Sequence, residues 1–138
     1  MSTTISGDTG VDKATNQAVK DAMGVTGTAP IFGCRAWVNF DGTRNQTDSG
    51  ASVIGQNVKI RASGNVSSVL KNAVGDYTVN FTTAMPDVNY AEASALGDNA
   101  YAGATSTTSK SVSSFRFYAH DMTNSYRDSS YIAISIFR

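Results

Sequence analysis

The sequence is poor in the groups that most chemistry requires. A single cysteine, Cys34, rules out an intrachain disulfide. With only one histidine, His120, beside it, the chain cannot supply the usual zinc ligand set. Glu92 is the sole glutamate. A glycosidase pair of carboxylates is therefore not readable on neighbouring strands, and one could arise only from Asp residues brought together across subunits. No Gly-x-Ser-x-Gly elbow and no nucleophile accompany His120, which reads as a loop histidine at the surface or in a hydrogen bond. Phosphate-binding loops and the EF-hand spacing are missing too, and Asp41 before Gly42 fits a turn better than a calcium ligand. We expect a protein that is not an enzyme, with no catalytic residue, no metal and no cofactor.

Charge is also scarce. Only 16% of residues are charged, and Lys+Arg balances Asp+Glu at 11 each. Nothing in that balance draws in nucleic acid or an anionic membrane. No apolar run approaches the roughly 18 residues of a membrane span. The opening MSTTISGDTG has neither a basic nor an apolar region and is no signal peptide. With Met1 at its start, we expect either a complete chain or a tidily cut piece of one, made in a cytoplasm.

What is present is Ser, Thr, Asn and Gly, a composition that favours turns and strands over long helices. Residues 1–10 read as a polar tail. Residues 11–23 turn helical, with Val11, Ala14, Ala18 and Ala22 on one stripe and Gly24 as a left-handed stop. A helix of about 13 residues is marginal alone in water. Its stripe needs a partner, either the chain's own β-domain or copies of itself in a short bundle. Residues 25–33 form a Gly/Pro linker.

Strands follow at short spacing. Residues 34–40 put Cys34, Ala36, Val38 and Phe40 on one face and Trp37 on the other, so both faces are expected to meet protein, at a trimer contact or a sandwich edge. Residues 41–56 form a long polar excursion. Residues 57–62 come next, with Val58, Ile60 and Ala62 inward. A strand carrying Val66, Val69 and Leu70 turns at Gly75 into 76–82, where Tyr77, Val79 and Phe81 alternate with polar residues. Met85-Pro86-Asp87 closes that unit. Residues 90–96 and 112–119 are further strands, 97–109 and 120–130 are loops, and 131–137 alternate strongly around Ile132, Ile134 and Ile136. A hydrophobic strand so near the end must be central or shared between subunits. The expected fold is mainly β, a small antiparallel β-sandwich with a short N-terminal α-helix.

Three blocks carry a resemblance. They are Trp37-Val38-Asn39-Phe40-Asp41-Gly42-Thr43, Ile60-Arg61-Ala62-Ser63-Gly64-Asn65-Val66-Ser67-Ser68, and the run GDYTVNFTTAMPD over residues 75–87. In this order and spacing they resemble the C-terminal domain of tailed-bacteriophage tail fibre and tail-tip proteins, over residues 34–96. This chain departs from the family pattern in the long insertion at 44–56, where a shorter turn is usual. The resemblance implies a virion structural protein of the phage tail that mediates attachment to the host cell surface. It implies a homotrimer, which favours a helical bundle and adds Trp37 to Val11, Ala14, Ala18 and Ala22 as candidate oligomerisation residues. Partners would be other virion tail or neck proteins and a host surface glycan or protein. Residues 1–33 would serve oligomerisation or docking, and residues 34–138 would form the tip.

Long loops in compact domains are usually functional or disordered. The candidate receptor-binding residues are accordingly Arg44, Asn45 and Asp48 in the insertion, Asp98, Asn99 and Tyr101 in the second loop, and His120, Asp121, Asn124, Tyr126 and Arg127 in the third. Aromatic faces stack on sugar rings while Asp, Asn and Arg bond hydroxyls. The alternative is that the tyrosines only pack the loops down. A fibre or neck adaptor, or a trimerisation module without receptor binding, is the competing function. A small depolymerase is a third.

Overall fold

The computed structural model describes residues 16–24, 26–27, 32–98 and 101–138. The chain divides into two units, Met1–Phe32 and Gly33–Arg138. In the first, helix α1 spans Asn16–Met23. Gly24 ends it at φ +65, and Lys20 in the last turn is buried, donating from Nζ to the Gly27 carbonyl at 2.9 Å. Of the expected stripe, Ala18 and Ala22 lie exposed on α1, while Val11 and Ala14 fall outside the described residues.

The second unit carries eight strands among the described residues: β1 (Cys34–Asn45), β2 (Val58–Gly64), β3 (Val66–Ala73), β4 (Asp76–Phe81), β5 (Ala91–Asp98), β6 (Tyr101–Lys110), β7 (Ser114–Asp121) and β8 (Ile132–Phe137). They form two four-stranded antiparallel sheets packed as a sandwich, ordered β2-β1-β8-β5 and β6-β7-β4-β3. Two joints link the layers. The chain crosses between them at Asn65, held at φ +57, and β5 meets β6 through the pairs Gly97–Ala102 and Asp98–Tyr101. The C-terminal β8 is central, between β1 and β5, as a strand carrying three buried isoleucines requires.

Alternation places the core. Ala36, Val38 and Phe40 of β1, Tyr77, Val79 and Phe81 of β4, Phe115, Phe117 and Ala119 of β7, and Ile132, Ile134 and Ile136 of β8 are all buried. Phe40 reaches across the layers to Tyr77, with ring centroids 5.2 Å apart at 67°, an edge-to-face contact that adds to the burial itself. Trp37, 42% exposed, lies on its cross-strand partner Gly64, where a Cβ would stand 2.4 Å from the indole nitrogen. Part of the tryptophan's outward face is thus covered within the chain itself.

Several expectations need correction. Cys34 is exposed rather than inward, because a register shift against β8 separates it from Ala36. A second shift, between Asn39 and Phe40, resets β2, so Val58 is buried while Ala62 is exposed. The excursion begins later than expected, since β1 continues to Asn45. Phe81 ends β4, and residues 82–90 form a loop. Most of the expected loop at 97–109 is strand. There β6 pairs with β7 from Gly103–Asp121 to Lys110–Phe115, and its small polar side chains give no hydrophobic alternation to betray it.

The β3–β4 turn, Val74-Gly75, tests the backbone. Gly75 has φ +66, and a Cβ there would sit 2.5 Å from the Ala119 carbonyl oxygen. Substitution Gly75→Ala therefore adds both left-handed strain and a backbone clash, and is expected to cost about 1–3 kcal/mol. A urea midpoint unchanged from the parent would contradict this.

Candidate functional site

The ladder gives the sandwich two unlike ends. At one end β1 begins opposite the last residues of β8, with Cys34 paired to Phe137. Asn65, residues 82–90 and residues 111–113 share that end. Asn65 ties it together by donating from Nδ2 to the Arg35 and Thr83 carbonyls, and Arg138 pairs with Asp87 there. At the other end lie residues 46–57 after β1, the Val74-Gly75 turn, the pairing of Asp98 with Tyr101 and residues 122–131 after β7. The candidate binding residues that fall among the described residues belong to this second end.

Asp128 holds that end in one piece. Its Oδ1 accepts from the Tyr77 hydroxyl at 2.6 Å and from the Gly75 N–H at 2.9 Å, and its Oδ2 accepts from Lys71 Nζ at 2.5 Å. Lys71 also donates to Ser52 Oγ at 2.8 Å, and Ser52 donates to the Gly42 carbonyl at 2.7 Å. The Gly42 N–H returns to the Ser129 carbonyl at 2.9 Å. One carboxylate thus ties together the 46–57 loop, the β3–β4 turn and the 122–131 loop. Burial and the facing Asp128 carboxylate push the Tyr77 phenol well above its ordinary value, so it stays a donor. Gly42 is required by contact, since a Cβ there would stand 2.2 Å from the Tyr77 oxygen.

The predicted residues fall into two kinds. Asp121 is buried and builds its own loop, accepting from Thr123 N–H and Oγ, the Ser125 N–H and Arg127 Nε. The Thr123 and Arg127 bonds hold its carboxyl far below the usual range. Asn45 bonds Ser49 and Thr47, and Asp48 pairs with Arg44 and Lys59. These groups shape loops. Tyr126, in contrast, is 54% exposed, with its ring 4.7 Å from that of Tyr118, and Asn124 stands exposed at φ +64. His120 is half-buried, its Nδ1 3.4 Å from the Asp121 carbonyl oxygen. Asn99 lies outside the described residues, as do the side chains of Asp98 and Tyr101.

Sequence reasoning missed a depression beside the long insertion. A groove of ≈ 480 Å³ runs between the 46–57 loop and β3, lined by Asn45, Gln46, Thr47, Gly55, Gln56, Asn57 and Leu70. A neighbouring one of ≈ 330 Å³ continues along the β2–β3 corner and shares Gln46 and Asn57. Of the first groove's lining, Asn45 was a candidate through its place in the long insertion, whereas Gln46, Gln56 and Asn57 carry no motif. Lys71 did leave a sign, because it shares the inward phase of Val69 on β3. Among the described residues, no three His, Cys, Asp or Glu side chains converge as a metal site, and no helix is long and apolar enough to cross a membrane. No family model, curated protein or solved structure matches the chain.

Two outcomes are expected. Lys71→Ala leaves Asp128 without its cation and should cost about 3–5 kcal/mol, measured by urea unfolding, with new proteolytic cleavage in residues 122–131. Acid should also weaken the fold. Arg116 holds Asp76 below its ordinary 3.8, Arg138 does so for Asp87, and Thr123 and Arg127 for Asp121. Glu92 is pushed up by burial, but Lys110 and Thr107 outweigh this and lower it. Carboxyls with folded values below their unfolded ones stabilise fully above the unfolded value, and that contribution is lost as pH falls through the folded value. Stability should therefore hold down to about pH 5 and fall below about pH 4. In Arg116→Gln the acid limb should be shallower, and an unchanged limb would remove Asp76 from the account.

Proposed function

We propose that the chain is the distal part of a phage tail fibre or tail tip, attaching the virion to the host cell surface through the loop end of the sandwich. The observation that carries this reading is the polarity of the β-unit. Strand β1 begins at one end, and among the described residues the candidate binding loops lie at the other. An attachment module needs that separation of anchor from contact surface. The ordered resemblance over residues 34–96 supports the same reading, and the absence of excess charge suits a polar, uncharged receptor surface.

Binding, not bond chemistry, is the mechanism. Loops fixed by Asp128 are presented ready-made, so little ordering entropy is lost on contact. Assembly as a homotrimer, through the Ala18–Ala22 stripe of α1 and the outward face carrying Trp37, would triplicate a weak site. Linked sites then gain about 10²–10⁴ in avidity over one. A second reading, a fibre or neck adaptor, is favoured by exposed Met23 and Phe32 in the first unit, which offer apolar surface for another virion protein.

Two measurements test the proposal together. Light scattering on the full chain should give three times the chain mass, and a chain lacking residues 1–24 should give the mass of one. Labelled full chain should adsorb to cells of some strains in a bacterial panel, at least tenfold more than the truncated chain. A trimer that adsorbs to no strain would leave the adaptor reading in place of attachment. A monodisperse single chain would overturn the trimer.

A further inference from the structure

We propose that the groove between the 46–57 loop and β3, with its continuation along the β2–β3 corner, binds a neutral oligosaccharide. This rests on the attachment reading and names the ligand class and the place. Three observations carry it.

The first is the state of the amides. The side chains of Gln46, Gln56 and Asn57 line the groove and, among the described residues, make no hydrogen bond. Each amide offers donors and an acceptor together, the combination a sugar hydroxyl needs. The second is the lack of charge. No lining residue of either depression is ionisable. The nearby ions are engaged in pairs, Arg44 and Lys59 sharing Asp48, and Arg61 with Asp41. The lining itself offers a uronate or sialate no charged partner, whereas a neutral sugar needs none. The third is the mixed lining. Half-buried Leu70 sits in the first depression, and half-buried Ile60 lies among serines in the second. Apolar patches beside polar groups suit the C–H faces of sugar rings. The two volumes, ≈ 480 and ≈ 330 Å³, meet at Gln46 and Asn57, so the site extends over more than one ring.

The groove is also rigid. The Gly55 N–H donates to the Lys71 carbonyl at 2.8 Å, and the Lys71 N–H donates to the Gln56 carbonyl at 3.0 Å, which fixes the loop against β3.

The test is proton–nitrogen NMR of the full chain, titrated with neutral trisaccharides of hexose and N-acetylhexosamine and with sialylated and uronate trisaccharides. At millimolar concentration at least one neutral probe should shift the side-chain amide signals of Gln46, Gln56 and Asn57. The acidic probes should shift them at least tenfold less. In Gln46→Ala/Gln56→Ala the affinity should fall at least tenfold with an unchanged melting temperature. Silence of those amides with every neutral probe, or equal response to acidic ones, overturns the inference. So do shifts confined to His120, Asn124 and Tyr126. Cell adsorption of the same double variant separates the two claims. Undiminished adsorption removes the groove and leaves attachment standing. Amide shifts from a neutral sugar, in a chain that adsorbs to no cell, uphold the groove and remove attachment.

Discussion

A lysine taken out of water costs several kcal/mol unless a carboxylate and further acceptors meet it. Lys71 is 4% exposed, and it is met by Asp128 and Ser52. That one demand organises the loop end. Asp128 must reach back across the top of β4 to satisfy the ammonium, and in doing so it accepts from the Tyr77 hydroxyl and the Gly75 N–H. Ser52 must fold down from the long insertion, and its hydroxyl then binds Gly42. Segments far apart in sequence are fixed by a polar cluster that would be unfavourable if any member were missing. Among the described residues, no buried side-chain nitrogen or oxygen lacks a partner.

The same cluster explains why the insertion at 44–56 is ordered. A long loop loses entropy in proportion to what it must hold still. Here the ends of the loop are clamped by backbone bonds: Asn45 N–H to Gly50, Ser52 N–H to Thr43, and Gly55 and Gln56 to Lys71. Those last bonds also cover part of the outer edge of β3. An unpaired strand edge invites association with other chains, and a loop laid along it blunts that tendency. The groove left beside the covered stretch is thus a by-product of edge protection, and Gln46, Gln56 and Asn57 in its lining are side chains the loop did not need for itself.

Legibility followed the physical signal. Strands with one wet and one buried face announce themselves by period two, and β1, β4, β7 and β8 are readable for that reason, down to the inward residues Phe40, Tyr77, Phe117 and Ile134. Gly75 was readable because a tight turn needs a left-handed residue. The strand β6 was not, since Gly103, Ala104, Thr105 and Ser106 give a ladder its backbone groups without giving a reader its pattern. Bulges were equally silent. Cys34 and Ala62 fall outside because a register shift inverts the faces, and such shifts come from pairing partners rather than from the strand's own sequence. At the candidate site, the tyrosine, aspartate and arginine residues drew attention by type. Asp121 shows the hazard of that approach: its acceptor capacity is spent on Thr123, Ser125 and Arg127, and little is left to offer a ligand.

The division between loop-building and loop-presenting residues follows from charge. In a chain with 11 acids balanced by 11 bases, charged residues are few and many of them are used in ion pairs. Asp76 with Arg116, Asp121 with Arg127, Asp87 with Arg138 and Glu92 with Lys110 each tie neighbouring segments together. The exposed pair of Asp87 with Arg138 adds little stability by itself, whereas the buried carboxylates of Asp76 and Asp121 depend on their partners. What remains for contact is neutral: amides, hydroxyls and a few aromatic faces. Neutral polar contacts are individually weak because water competes for every one. Such contacts gain from pre-formed geometry, and at the loop end that geometry depends on the clamp at Asp128.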